Sequence, residues 1–325
     1  MSTDAPTLVD VHAHFVTDRY VSAARAAGHD QPDGMPGWPN WNVADHLALM
    51  DEGGIGTAML SVSSPGTHFG DDRAARDLSR EVNEYAADLV RRYPGRFGHF
   101  ASLPLPDVDA ALREIDYTLD VLGSDGVTVE TNAHGLYLGD RRFEPVWAEL
   151  DRRRAVVFVH PTSPPGHDAV SLGRPRPMLE FLFDSARTVS DLVFAGVLLR
   201  YPGIEWVFTH GGGALPLLAD RMELFRGLIA EPSASAPSVP DQLRRLWFDT
   251  AGTPFPHQIP ALTTAFGSDR VLYGSDYCWT PAAVTARQIA SLDAAQQPTP
   301  DTWRSLTTHN ALKLFPQLSQ TVSNR

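Results

Sequence analysis

Short runs of apolar and β-branched residues recur along the chain, each followed by a longer stretch in which apolar positions return every three or four residues. The alternation predicts strands at 7–15, 56–62, 97–103, 126–131, 155–160, 204–210, 246–250 and 271–276. Helices are predicted at 43–52, 72–92, 107–122, 143–153, 178–200, 215–228, 256–265, 282–292 and 301–314. Ala110, Ala111, Ile115, Leu119 and Leu122, for example, fall on one helical stripe of the kind that is buried against a sheet. Strand followed by helix, eight times over, implies parallel pairing, because a crossover is what returns the chain to run the same way.

A closed (β/α)8 TIM barrel buries all eight strands without an open edge, and it is predicted over a doubly wound open sheet. The open alternative places a glycine-rich phosphate turn after its first strand, where this chain reads Asp10-Val11-His12-Ala13-His14-Phe15. Residues 1–325 are read as one barrel domain with insertions at about 20–42, rich in Gly, Pro and Trp, and at 162–177, rich in Pro. Both insertions follow strands, so both are expected over the C-terminal mouth, where barrels form their active sites.

Composition narrows the function. With 27 Lys+Arg against 39 Asp+Glu, the formal net charge is −12 and the basic residues are dispersed. Nucleic acid and anionic membrane surfaces are therefore poor partners, and a small molecule is the expected one. No basic-then-apolar leader opens the sequence and no run of about eighteen apolar residues occurs, which sets the expectation of a cytoplasmic protein. The single cysteine, Cys278, can form neither an internal disulfide nor a thiolate zinc cluster, in keeping with a reducing compartment, and is expected to pack as a small apolar residue. Lys313 is the only lysine, in an amphipathic stretch near the C-terminus. Schiff-base chemistry, a P-loop and a carboxylated-lysine metal bridge each need a lysine at a strand end or glycine loop, so those classes are excluded.

Among twelve histidines, position is what discriminates. His12 and His14 lie two apart on the first strand and so share a face. His160 ends the fifth strand in Val159-His160-Pro161, His210 the sixth in Thr209-His210-Gly211-Gly212-Gly213, and Asp276 the eighth in Gly274-Ser275-Asp276-Tyr277. These five are expected to converge at the mouth. Imidazoles with one carboxylate suit zinc and also accept manganese or iron, with a water or substrate oxygen completing the shell. A bare His-x-His says little; register across four strands carries the specificity.

Around this set, Phe15 and Trp279 are placed to pack against an aromatic ring, although both also suit ordinary core. Ser64 is placed to donate to a substrate oxygen, although Ser64-Pro65-Gly66 also reads as a plain turn. Glu130 is a carboxylate on a barrel wall, expected either to orient a ligand or the substrate or to pair with an arginine or backbone donors. His46, His68 and His134 lie within reach of the mouth, whereas His29, His99, His167, His257 and His309 carry no motif and are expected at the surface or in packing. Arg187 and Arg221 are expected to tie helices to the barrel through carboxylates, with an acidic substrate as the alternative partner.

Taken together, Asp10-Val11-His12-Ala13-His14, His160-Pro161, Thr209-His210-Gly211-Gly212 with Pro216 and Arg221, and Gly274-Ser275-Asp276 resemble the amidohydrolase superfamily. More narrowly they are similar to its metal-dependent decarboxylase branch, typified by 2-amino-3-carboxymuconate-6-semialdehyde decarboxylase. Pro32-Asp33-Gly34-Met35-Pro36, Ser61-Val62-Ser63-Ser64-Pro65-Gly66-Thr67, Ala101-Ser102-Leu103-Pro104-Leu105-Pro106 and Glu130-Thr131-Asn132 with Tyr137-Leu138-Gly139-Asp140 are similar to 6-methylsalicylate decarboxylases. The resemblance spans nearly the whole chain. It implies one divalent ion, zinc first and manganese second, held by His12, His14, His160 and Asp276, with His210 left free for proton transfer. Thr128 stands nearest the place where binuclear members carry a bridging lysine.

The activity implied is non-oxidative decarboxylation of a small hydroxyaryl acid such as 6-methylsalicylate, within specialised metabolism and in a homo-oligomer, a dimer or larger. Loss of carbon dioxide leaves an electron pair that a protonated ring can accept, and Asp276 coupled to His210 is the expected proton source. In the alternative division His210 activates a water at the metal. The competing function is hydrolysis of a lactone, amide or related bond with the same ligands; a binding protein that kept the barrel without turnover is the third.

Overall fold

The computed structural model describes residues 7–229 and 236–319. Its eight barrel strands are β1 (Leu8–His14), β2 (Ile55–Ser61), β3 (Phe97–Ser102), β4 (Gly126–Glu130), β5 (Val156–His160), β6 (Glu205–Phe208), β7 (Trp247–Asp249) and β8 (Val271–Leu272). All pair in parallel and stand side by side in chain order. The seam between β8 and β1 is closed by main-chain bonds: Val11 N donates to Tyr273 O at 2.9 Å, His14 N to Tyr277 O at 2.5 Å, and Asp276 N to His12 O at 2.8 Å. The sheet thereby rounds into a barrel with no exposed edge.

The strands are apolar because both of their faces are covered. One cluster, with Val9, Val11, Met59, Phe100, Phe158, Val207 and Leu272, fills the inside and is sealed by Leu314 at the end of the helix Trp303–Leu314 and by Phe315 and Leu318 just beyond it. A larger cluster lies between the strands and the surrounding helices. The helix Asp72–Arg92 shows why these segments are helical: Asp71 caps it by accepting from Ala74 N at 2.7 Å, and Arg91 and Arg92 sit in its negative last turn. Its buried stripe of Ala75, Leu78, Val82, Ala86 and Leu89 repeats at helical spacing, each large side chain contributing about 1.5–3 kcal/mol by leaving water.

Besides unpredicted helices at Asp18–Ala26 and Val239–Leu243, three departures from the sequence expectations stand out. The sixth and eighth strands stop early, so His210 and Asp276 lie beyond their ends in turns, with φ of 54° and 59°. The glycines after His210 force the first of these turns, since a Cβ on Gly213 would run into the Leu182 carbonyl. The helix expected at 178–200 breaks at Gly196, φ 71°, into Glu180–Phe194 and Val197–Arg200. A two-stranded hairpin, Asn132–Ala133 with Leu136–Tyr137, follows β4 and was not expected.

That hairpin is anchored by Asp184, whose side chain is fully buried. It accepts from Thr131 Oγ1 at 2.5 Å, Tyr137 OH at 2.6 Å, Asn132 Nδ2 at 3.1 Å and Arg187 Nη1 at 2.5 Å. Asp184 and Arg187 share the helix Glu180–Phe194, so the acid ties that helix to the barrel and Arg187, three residues on, does not do so through a carboxylate. Nor does Arg221; its guanidinium lies 5.0 Å over the Phe225 ring. Asp184→Ala leaves four donors without their acceptor, and urea unfolding is expected to show a loss of about 3–5 kcal/mol. A loss under about 1 kcal/mol would contradict this account of the hairpin. Among the described residues, no helix is long and apolar enough to cross a membrane.

Candidate metal centre

β1 carries an irregularity in its pairing with β2 between Asp10 and Ala13. Val11 belongs to the interior cluster, yet the His12 ring next to it also faces inward, 5.1 Å from Phe158. The irregularity lets two consecutive residues share the inside of the barrel. Asp10 steadies this bend from beneath, its Oδ1 accepting from His12 N at 3.1 Å and Ser275 N at 3.0 Å. Burial pushes the Asp10 carboxyl up to about 7.

The expected ligands meet. His12, His14, His160 and Asp276 each offer one atom, and all four atoms lie within 4.8 Å of one another. His12 Nε2 stands 2.9 Å from His14 Nε2, and Asp276 Oδ1 lies 3.4 Å and 3.3 Å from the two. A tetrahedral shell with bonds of about 2.0–2.1 Å needs donors about 3.3 Å apart.

The outward-facing nitrogens fix what the inward ones can do. His12 Nδ1 is 2.7 Å from Asp249 Oδ2, and His14 Nδ1 is 3.0 Å from Ser61 Oγ. With Nδ1–H committed to those acceptors, both Nε2 atoms present lone pairs to each other, an arrangement that calls for a cation between them. The donor set therefore fits a single divalent ion.

Asp249 was not singled out from sequence. It sits at the end of β7, wholly buried, and its second oxygen accepts from His210 N at 2.8 Å and Ala251 N at 3.0 Å. One carboxylate thus fixes a ring on β1 and the turn that aims His210. Burial disfavours the charge on Asp249, but His12 outweighs it and holds the carboxyl below its usual range. Burial likewise pushes His12 down, yet Asp249 and Asp276 prevail and hold it up at about 10, so these carboxylates favour positive charge at Nε2, whether a proton or a divalent ion in the proton's place. For Asp276, burial is outweighed by hydrogen bonds from His12, His14 and His210, so its carboxyl stays well below the ordinary range.

His210 stands outside the four-ligand set, its Nε2 3.6 Å from Asp276 Oδ2, while its backbone oxygen accepts from Gln258 Nε2. Asp276 therefore turns one oxygen to the imidazole pair and the other to His210. A cavity of about 230 Å³ opens onto these groups, with Asp33, Ser63 and Ser64 as polar neighbours and Met35, Pro177, Phe181 and Trp279 as apolar walls. Trp279 is fixed there by donating to Ser63 Oγ at 2.5 Å. Ser64 Oγ is 2.7 Å from Thr162 Oγ1.

Two of the expected substrate contacts fall elsewhere. Phe15 stacks on Tyr85 at 5.6 Å in the outer core, because it lies an odd number of residues from His12 and His14 and points the other way. Glu130 turns toward His160, with Oε2 3.7 Å from Nδ1, and lines a separate cavity of about 510 Å³. His68 and His134 line that outer cavity with His29 and His167, which carried no sequence signal. His46 is core, packed on Phe97 and Tyr277 and accepting from Trp41 Nε1 at 3.0 Å.

Comparison with known proteins identifies the family. A family model described as amidohydrolase matches residues 9–317. The 6-methylsalicylic acid decarboxylase of Penicillium expansum is 35% identical over 317 residues, covering 95% of this chain and 96% of its own. A crystal structure described as an amidohydrolase II is 31% identical with a TM-score of 0.89, covering 95% of this chain and 100% of its own. The 5-carboxyvanillate decarboxylase of Novosphingobium aromaticivorans, complexed with manganese and 4-hydroxy-3-methoxy-5-nitrobenzoic acid, shares the fold at 22% identity. Its TM-score is 0.84, over 96% of either chain.

Proposed function

The chain belongs to the amidohydrolase family, and from that premise we propose that it is a metal-dependent, redox-neutral decarboxylase of small hydroxyaryl carboxylic acids such as 6-methylsalicylate. The observation that carries the reading is the division of Asp276 between two tasks, one oxygen 3.3–3.4 Å from the ligand nitrogens of His14 and His12 and the other 3.6 Å from His210. His12, His14, His160 and Asp276 would hold a single divalent ion, which would supply positive charge to neutralise the acid's carboxylate and neighbouring hydroxyl.

The protein's own groups account for the rest. The ring carbon that bears the carboxylate takes a proton, aromaticity is interrupted, and the carbon–carbon bond breaks to restore it; carboxylate plus proton becomes arene plus carbon dioxide. Because Asp276 rests as a carboxylate, it serves as the point of delivery and His210 as the group behind it that replenishes the proton. Met35, Pro177, Phe181 and Trp279 hold the ring faces and keep water from competing for the site. Ser64 is left to contact a substrate oxygen.

The reading takes zinc as the resident ion with manganese as the alternative; the carboxyvanillate enzyme holds manganese. It sets one barrel domain in the cytoplasm, within specialised metabolism. It also expects self-association, which gives a place to Leu217, Leu224, Phe225 and Leu228, all exposed on the helix Leu215–Ile229. Incubation with a panel of salicylates and lactones in deuterated water tests the activity. Carbon dioxide release with one deuterium at the vacated ring position is expected. Lactone opening without carbon dioxide would overturn the reading in favour of a hydrolase.

A further inference from the structure

The three imidazoles of the centre are not held alike. His12 Nδ1 has Asp249 and His14 Nδ1 has Ser61, while His160 Nδ1 is buried with no hydrogen-bond partner. Oε2 of Glu130 is likewise buried and unpartnered, and it stands 3.7 Å from that nitrogen. The two residues are register partners at the ends of β4 and β5, so their side chains leave the sheet on the same side, one beside the other. An orphaned donor facing an orphaned acceptor is costly unless the two close on each other, and about 0.8 Å of side-chain adjustment brings them to an ordinary 2.9 Å bond.

We infer that Glu130 is the positioning residue for His160: it accepts Nδ1–H, fixes the ring's tautomer and orientation, and so tightens the hold on a divalent ion without touching the ion or the substrate. The backbone is consistent with a carboxylate kept in one place. Gly66, at φ 76°, passes so near that a Cβ there would meet Glu130 Cγ at 3.2 Å and Oε1 at 3.3 Å. Longer side chains on that turn would displace the acid. The inference rests on the metal site proposed above and is independent of which reaction the site performs.

The test is metal affinity, read by competition between the protein and a chelating indicator with Zn²⁺ alone, and again with Mn²⁺. Glu130→Ala is expected to weaken Zn²⁺ binding by about 10–100-fold, as Asp249→Ala should by withdrawing the equivalent acceptor from His12. Glu130→Gln keeps an acceptor oxygen at the same reach and is expected to recover most of the loss. It also covers the case in which the alanine protein does not fold. Catalysis by the alanine variant should return largely to the parent kcat once Zn²⁺ is saturating, with KM for the acid little changed. Glu130→Ala and Glu130→Gln proteins that both bind Zn²⁺ as tightly as the parent would overturn the assignment, as would a kcat loss that saturating metal does not repair. If the parent shows no carbon dioxide release yet Glu130→Ala still weakens Zn²⁺ binding, the inference stands and the decarboxylase reading fails. A parent that binds neither ion sinks both.

Discussion

Asparagine at position 276 is expected to lower kcat for decarboxylation by about 10³-fold or more. The substitution keeps the size of the side chain and one oxygen that can face His12 and His14, so the barrel seam and part of the ion's hold survive. What it removes is the negative charge that three histidines stabilise and the ability to carry a proton to the ring. Positioned proton transfer alone contributes about 10²–10⁴-fold, and weaker neutralisation of the ion adds to the loss. Metal content must be measured on the same sample, by elemental analysis, because an empty site would mimic a catalytic defect. A fully loaded Asp276→Asn protein within about tenfold of the parent rate would show that the proton reaches the ring by another path.

His210→Asn should lose about 10²–10⁴-fold in kcat while keeping its ion, since His210 lies outside the ligand set and its backbone, not its ring, contacts Asp249. The contrast between the two variants is informative. If the aspartate delivers and the histidine replenishes, they act as a unit, and the double variant should be little worse than the poorer single one. Multiplying losses would instead assign them separate tasks. Loss of the ion from His210→Asn would place that ring among the ligands and overturn the division of labour across Asp276.

Much of the architecture was legible because both faces of a barrel strand are buried. Val127, Val157, Val159, Phe158 and Phe208 had to form unbroken apolar runs, and such runs stand out against amphipathic helices. The ligand set was legible for a related reason: a histidine or aspartate ending an apolar run has to be buried, and burial without partners is expensive. The misses trace to what periodicity cannot encode. His210 and Asp276 were read as the last residues of strands, whereas both are in left-handed turns. That conformation costs about 1–3 kcal/mol in a residue with a Cβ and is sustained by the surroundings, here Asp249 accepting from His210 N and His12 O accepting from Asp276 N.

Asp249 escaped notice because Phe248-Asp249-Thr250 resembles the tail of any strand, and its partners are 237 residues away on β1 and 39 away at His210. Its signal, an acid at the end of a strand in a barrel where Glu130 and Asp276 stand at or just past two other strand ends, was present but had no motif around it. Phe15 could have been set aside by counting, since an aromatic one step past an inward histidine on a regular strand must face outward. Glu130 stands out in the sequence as a carboxylate on a barrel wall, but nothing around it in the sequence points to His160, which lies beside it only through the register of β4 and β5.

The seam where β8 meets β1 joins the two ends of the barrel's circuit, and the pair His12 and His14 comes from one side of it while Asp276 comes from the other. The four groups therefore come together only when the ring is closed, so a divalent ion shared by all of them would bind the closed barrel in preference to an open one. An ion held there would rivet the first strand to the last and would add its binding free energy to the stability of the closed ring.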